Sequence, residues 1–228
     1  MNKTVLTKIS HQPITLRDKV QDRMRAAIIE GHFKPGDRLV ERPLCEQLGV
    51  SRTVIRETIR YLEAEGLVQI IPGRGPIVAL INWEDARQIY EVRRMLETSA
   101  ARTCAQQITP HRAKKLQAAL TQLKDGFSDK APGALFRATA NFYSEIFEGA
   151  GHHIAWEIVQ RLNGRISRLR MMTLSATTRV QPGPSHMQTI CDAIISGDAD
   201  AAEAAVNAHL NDATAIAEHL LTKDESEL

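Results

Sequence analysis

The sequence predicts a mainly α chain in two domains: three short helices closed by a β-hairpin over residues 1–81, then an all-α bundle over residues 82–228. Three observations predict it. A chain of 228 residues is long enough for two compact units, each with its own core. Apolar residues recur at spacings of three and four through most of the chain, as in helices that bury one face. The exception is a pair of β-branched runs, Leu67 to Ile71 and Pro76 to Ile81, separated by Pro72-Gly73-Arg74-Gly75. That pattern is a hairpin with a glycine-rich tip.

Taken in order, the first dozen residues lack periodicity and are expected to fray. Thr15 is suited to cap a helix whose apolar stripe is Leu16, Val20, Met24, Ala27 and Ile28, and Gly31 ends it. Phe33-Lys34-Pro35-Gly36-Asp37 is a turn, and Leu39-Val40 after it is expected to form a short strand. A helix from about Arg42 to Leu48 stops at Gly49; Ser51 caps the next, with Val54, Ile55, Ile59 and Leu62 on one face and Gly66 at its close. Beyond Trp83 the pattern is helical, with breaks at Thr109-Pro110, Ser128 to Gly133, Gly149 to His152, Pro182 to Ser185 and Gly197-Asp198. Six or seven helices and no strand are expected there. Alanine-rich stretches at 100–105 and 199–217 let those helices approach closely.

Net charge is only +2, but it is unevenly spread: residues 1–81 carry 13 Lys and Arg against 9 Asp and Glu, and the remainder is slightly acidic. A basic head on a near-neutral body suits a nucleic-acid binder. No apolar stretch approaches the roughly 18 residues of a membrane span, and no charged start precedes an apolar block. A cytoplasmic protein without membrane contact is expected. Cys45, Cys104 and Cys191 are odd in number and widely spaced, so neither a disulfide framework nor a thiolate metal site is suggested. No nucleophile motif or phosphate-cradling glycine loop points to an enzyme.

A helix, a glycine turn and a second helix capped by a small polar residue place the second helix in the DNA major groove. Arg52, Thr53 and Arg56 fall in its first turn and a half, where base edges and phosphates are reached. At the hairpin tip, Gly73 and Gly75 allow close approach to the duplex, with Arg74 between them.

Residues 16–80 resemble the winged helix of the GntR family in Phe33-Lys34-Pro35-Gly36-Asp37-Arg38-Leu39, Leu48-Gly49-Val50-Ser51-Arg52-Thr53, Arg56-Glu57 and Glu65-Gly66-Leu67-Val68. The remainder resembles the helical ligand-binding (FCD-type) domain of the FadR subfamily, in Tyr90 to Glu97, Phe142 to His152, Asp192-Ala193-Ile194, Gly197-Asp198 and Ala208-His209-Leu210. The resemblance implies a transcription regulator with DNA contacts at Arg38, Arg42, Ser51, Arg52, Thr53, Arg56 and Gly73-Arg74-Gly75. Val54 stands where the family commonly has proline, a harmless change in a first helical turn.

Many domains of this subfamily hold a divalent metal through one Asp and three His. Here the implied positions fall on Thr139, Tyr143, Met187 and His209, with His186 one residue early. A one-residue adjustment would turn His186 inward, still giving only two imidazoles, so no metal and no other cofactor is expected. The expected effector site is a polar cavity lined by Arg93, Thr139, Tyr143, Arg165, His186, Met187 and His209. Arginine is the natural partner of a carboxylate, which points to a small organic acid. The alternatives are that Arg93 merely pairs with Glu97 four residues on, and that the domain only dimerises. The expected partners are double-stranded operator DNA, the effector and a second copy of the chain.

Overall fold

The computed structural model describes residues 15–128, 132–167, 169, 170, 173 and 183–225. The expected frayed start, residues 129–131 of the expected Ser128 to Gly133 break, and Pro182 lie outside them.

A capping box starts α1 (Leu16–Ile29): the Asp18 N–H donates to the Thr15 hydroxyl at 3.2 Å, and the Thr15 N–H donates to the Asp18 carboxylate at 2.9 Å. Val20, Met24 and Ile28 are buried as their spacing requires, but Leu16 is exposed, because the first turn projects past the head's core. α2 (Glu41–Leu48) ends at Gly49, whose φ of 65° is the left-handed cap that glycine adopts without penalty. Ser51 caps α3 (Arg52–Ala64), its Oγ accepting from the Val54 N–H at 3.4 Å. β1 (Val68–Ile71) and β2 (Gly75–Val78) form an antiparallel hairpin in which Val68 faces Val78 and Ile71 faces Gly75. Both strands are shorter than their β-branched runs. The strand expected at Leu39-Val40 does not form; one isolated bridge, Arg38 to Ile77, replaces it, because Leu39 turns into the core and Val40 immediately precedes α2. Ile55, Ile59, Leu62, Leu67 and Ile77 complete this core.

The rest is helical: α4 (Trp83–Gln106), α5 (Pro110–Ser128), α6 (Pro132–Ala150), α7 (His153–Arg165), α8 (Gly183–Ile195) and α9 (Ala199–Glu225). Ser167, Leu169, Arg170 and Thr173 are also helical and buried. A break at Ile166, invisible in the sequence because no Gly or Pro follows it, separates them from α7. α4 and α9 make the broadest contact, supported by alanines such as Ala100, Ala101, Ala202, Ala213 and Ala217 that bring their backbones close. Fully burying one Leu, Ile or Phe contributes about 1.5–3 kcal/mol, so Leu116, Leu120, Phe142, Phe147, Ile190 and Leu210 dominate this core.

Among the described residues the head meets the bundle through α1 and through the end of α3. α1 packs on α6. The end of α3 docks on α7, where a Cβ on Gly164 would overlap the Glu65 carbonyl oxygen, and one on Gly66 would overlap the Arg165 side chain. Only glycine lets the two backbone segments approach so closely.

Candidate nucleic-acid interface and sensor site

The head presents its cations to solvent. Arg52 and Thr53 are exposed on the first turn of α3, next to the cap Ser51. Arg56 Nε donates to Glu41 at 2.7 Å, and Arg42 Nε donates to Glu46 at 3.0 Å; both arginines stay more than half exposed. The hydrogen bond from Arg56 holds the Glu41 carboxyl below its ordinary range, and Glu41 raises Arg56 in return. At the hairpin tip Gly73 and Gly75 take φ of 75° and 85°, conformations that other residues rarely adopt. Arg74 Nη2 donates to the Gly36 carbonyl at 3.3 Å, and the Arg38 guanidinium lies beside Gly75. Arg38 and Arg74 therefore share the wing, whereas Arg42, Arg52 and Arg56 share the helix-turn-helix.

The bundle treats charge in the opposite way. Arg93 on α4 is 1% exposed and binds Glu97 in a fork, Nε to Oε1 at 2.7 Å and Nη2 to Oε2 at 3.3 Å. Tyr90 lies under the guanidinium, with the ring centroid 5.3 Å away. Burial opposes the charge on Arg93, but Glu97 outweighs it and keeps the group firmly protonated. Arg170 is buried beside this pair; burial and the neighbouring Arg93 cation push its pKa down to about 10. Burial and the Glu97 carboxylate push the Tyr143 phenol far up, so it stays neutral. Among the described residues the buried Arg, Lys, Asp and Glu side chains are thus two cations and one anion. Isolated buried charge is costly unless it finds a partner.

A second polar cluster joins α8 and α9. His186 Nε2 lies 3.1 Å from Asp212 Oδ2, and the His186 ring meets the His209 ring edge-on at 5.4 Å between centroids. Met187 is wholly buried among the apolar side chains beside it. Thr139 is buried too, and its hydroxyl donates to its own helix at the Leu135 carbonyl, 2.8 Å away.

Of the residues expected to line an effector cavity, Arg93 and Tyr143 come together, and His186 and His209 come together. Arg165 joins neither pair: it is half exposed, its Nη2 3.9 Å from Asp85, with its stem under Gly66. The pairing of Arg93 with Glu97 is present, but in the core rather than at the surface. Arg170, Tyr90 and Asp212 were not among the candidates. A signal for Arg170 existed, since it continues the buried three- and four-residue stripe of Ile166, Leu169 and Thr173.

The positions that the resemblance assigns to a metal do not fit one. Thr139 is engaged with backbone, the Tyr143 phenol keeps its proton, and Met187 offers only a thioether. No group of three or more His, Cys, Asp or Glu among the described residues is arranged to hold a metal ion. Cys104 and Cys191 are free thiols whose pKa values burial raises to about 11 and 12, as expected of core filler rather than ligands. None of the described helices is long and apolar enough to cross a membrane.

Known proteins share this architecture along nearly the whole chain. The family described as "Bacterial regulatory proteins, gntR family" matches residues 16–78, and the FCD domain family matches residues 88–212. The chain is 27% identical over 210 residues to the HTH-type transcriptional repressor RspR of Escherichia coli K12, covering 92% of this chain and 91% of that one. It is 31% identical over 205 residues to the regulator LutR of Bacillus subtilis, covering 80% of this chain and 92% of LutR. The Escherichia coli K12 "Putative L-lactate dehydrogenase operon regulatory protein" is 29% identical, covering 87% of this chain and 85% of that protein. Among solved structures, Escherichia coli McbR/YncC superposes with a TM-score of 0.73 at 21% identity, covering 91% of this chain and 99% of that one. A putative GntR regulator from Rhodococcus sp. RHA1 also gives 0.73, at 25% identity, covering 88% and 96%. The exposed basic head, the polar bundle interior and these matches agree that the chain is a DNA-binding transcription regulator of the GntR family, with an FCD ligand-binding domain of the FadR type.

Proposed function

We propose that residues 1–81 read operator DNA and that residues 82–228 sense a small organic acid without a metal and hold two copies of the chain together. The observation that carries the sensor reading is the buried charge imbalance: Arg93 and Arg170 share one carboxylate, Glu97. An acid brought into the bundle supplies the missing anion through charge-assisted hydrogen bonds, with Tyr143, Thr139 and the imidazoles of His186 and His209 as further polar neighbours. Met187 adds an apolar surface. The name of one relative ties that protein to an L-lactate dehydrogenase operon, the operon of a small hydroxy acid, which supports the same ligand class.

On DNA, the exposed Arg52, Thr53 and Ser51 meet bases or phosphates, and phosphates take the place of Glu41 and Glu46 at Arg56 and Arg42. Arg38, Arg74, Gly73 and Gly75 follow the backbone or minor groove. Exposed apolar side chains on α4 (Val92, Met95) and α7 (Ile154, Ile158) supply a face on which two copies can associate. Met95→Glu is expected to shift sedimentation from dimer to monomer.

The test of the sensor is metal analysis of the purified protein beside thermal unfolding with a panel of small carboxylic and sugar acids. No metal, and a rise in Tm with one acid that Arg93→Lys abolishes, is the expected result. Stoichiometric metal contradicts the reading. Absence of both metal and stabilisation favours a domain that only dimerises, the role to which the apolar faces of α4 and α7 also point.

A further inference from the structure

Between the head and the bundle lies a cavity of about 510 Å³, within the size range of small-molecule sites. It is built from both domains and borders the Arg93–Glu97 fork through Arg170. α3 and the turn after it contribute Tyr61 and Leu67; α6 and α7 contribute Phe136 and Trp156. These four side chains give it apolar and aromatic walls.

Two polar residues of the bundle line the cavity. Asn163 on α7 is only 5% exposed, and its Oδ1 accepts no hydrogen bond from any described residue. A buried acceptor left unpartnered is destabilising, so a ligand that donates to it gains what the free protein lacks. Arg170, 4% exposed, also lines the cavity and belongs to the cationic excess of the bundle. The other charges largely cancel: Glu65 is held by Arg25 at 2.9 and 3.0 Å, and Arg161 offsets Glu157.

We propose that this inter-domain cavity is a second ligand site, for an amphipathic organic anion with an aromatic or aliphatic body and a hydrogen-bond donor. The acid group pairs with Arg170, the donor meets Asn163 Oδ1, and the body packs between Trp156, Phe136, Tyr61 and Leu67. Because α3 supplies one wall, an occupant fastens the end of the recognition helix to α7, where Gly164 already brings the two domains into contact. Such a ligand changes the freedom of the head directly. The inference goes beyond the metal-free acid sensor and rests on that reading in one respect, since both draw on the unmatched charge of Arg170.

The probe is 8-anilinonaphthalene-1-sulfonate, which carries a sulfonate, an aromatic body and an N–H donor. Trp156 is one of two tryptophans, so Trp83→Phe in the full-length chain leaves a single reporter on the cavity wall. Saturable quenching of Trp156 at one probe per chain is expected, with slowed amide exchange over residues 61–67. Ala140→Phe fills the cavity from α6 and should weaken binding at least tenfold. Asn163→Leu removes the orphan acceptor, with no polar group left to satisfy, and should weaken it severalfold. Both variants should keep the stabilisation by a small acid that depends on Arg93, which separates failure here from failure of the bundle reading. Unchanged Trp156 emission, or equal affinity in Ala140→Phe, would overturn the site. Binding without slowed exchange at 61–67 would overturn the fastening of the head.

Discussion

The arginines of the head and those of the bundle obey opposite electrostatic rules. Arg42 and Arg56 lie in water, held by Glu46 and Glu41 in pairs that a phosphate can replace at little cost. Arg93 and Arg170 are desolvated, and Glu97 cannot neutralise both. The same side chain thus stands in water at the surface, where salt screens it, and is desolvated beside a single shared carboxylate inside. The contrast teaches that a cation's role is set by its burial and its partners more than by its type.

The sharpest way to break the comparison is at Glu97. Glu97→Ala leaves two buried guanidiniums without their carboxylate and should cost about 3–5 kcal/mol in urea unfolding. The double variant Arg93→Met/Glu97→Leu should recover most of it, because it removes charge in pairs. If Glu97→Ala costs no more than a surface change, the buried-charge account fails.

The junction between the two regions comes next. Ala is favoured over Gly inside a helix by about 1 kcal/mol, so propensity alone makes Gly164→Ala stabilising. Contact with the Glu65 carbonyl reverses that sign, and a loss of about 1–3 kcal/mol from overpacking is expected in thermal unfolding. A rise in Tm would mean that head and bundle do not press together there.

On the head the effect should move from stability to DNA. Arg52→Ala should weaken binding to duplexes selected from a random pool by about 1–3 kcal/mol and relax sequence preference, with Tm unchanged. Unaltered affinity and selectivity would remove Arg52 from the contact set. Smaller still is Glu46→Ala: it breaks an exposed pair, and urea unfolding should change by less than about 0.5 kcal/mol.

The smallest effect is with pH. Asp18 and Glu41 sit below their ordinary values of 3.8 and 4.5, Asp18 through backbone hydrogen bonding at Thr15 and Glu41 through Arg56. Groups with depressed pKa values stabilise the fold above those values, and the contribution is lost as pH falls below them. Asp18→Asn/Glu41→Gln should therefore flatten the acid dependence of head stability below about pH 4.5, read by circular dichroism, with stability slightly lower than the parent's at pH 7 and converging on it in acid.

Much of the head was legible in the sequence because its signals are local. Thr15, Gly49, Ser51 and the glycine tip at Gly73 and Gly75 each act within a few residues, and the structure uses all of them. The same locality fixed the helix breaks at Pro110, Gly151 and Gly197. Leu39-Val40 misled because the stretch that meets the edge of β2 lies just upstream, where Gly36 and Leu39 donate to Val78 and Pro76, and Val40 already caps α2.

The sensor interior was legible in residue type but not in company. Arg93, Tyr143, His186 and His209 could be nominated one by one. Their grouping into an Arg–Glu–Arg cluster with Tyr143 and a His–His–Asp cluster depends on residues far apart in the chain. Arg165 illustrates the limit, since it lies only five residues before the buried Arg170, yet a step of five falls on a different helix face and leaves it half exposed. By itself, then, the sequence determined the fold class and the order of elements, because caps, periodicity and glycine act locally. Tertiary structure alone decided which arginine became a buried cation, where Asn163 was left without a donor and how Gly164 joined head to bundle, because desolvation and close contact exist only once distant segments meet.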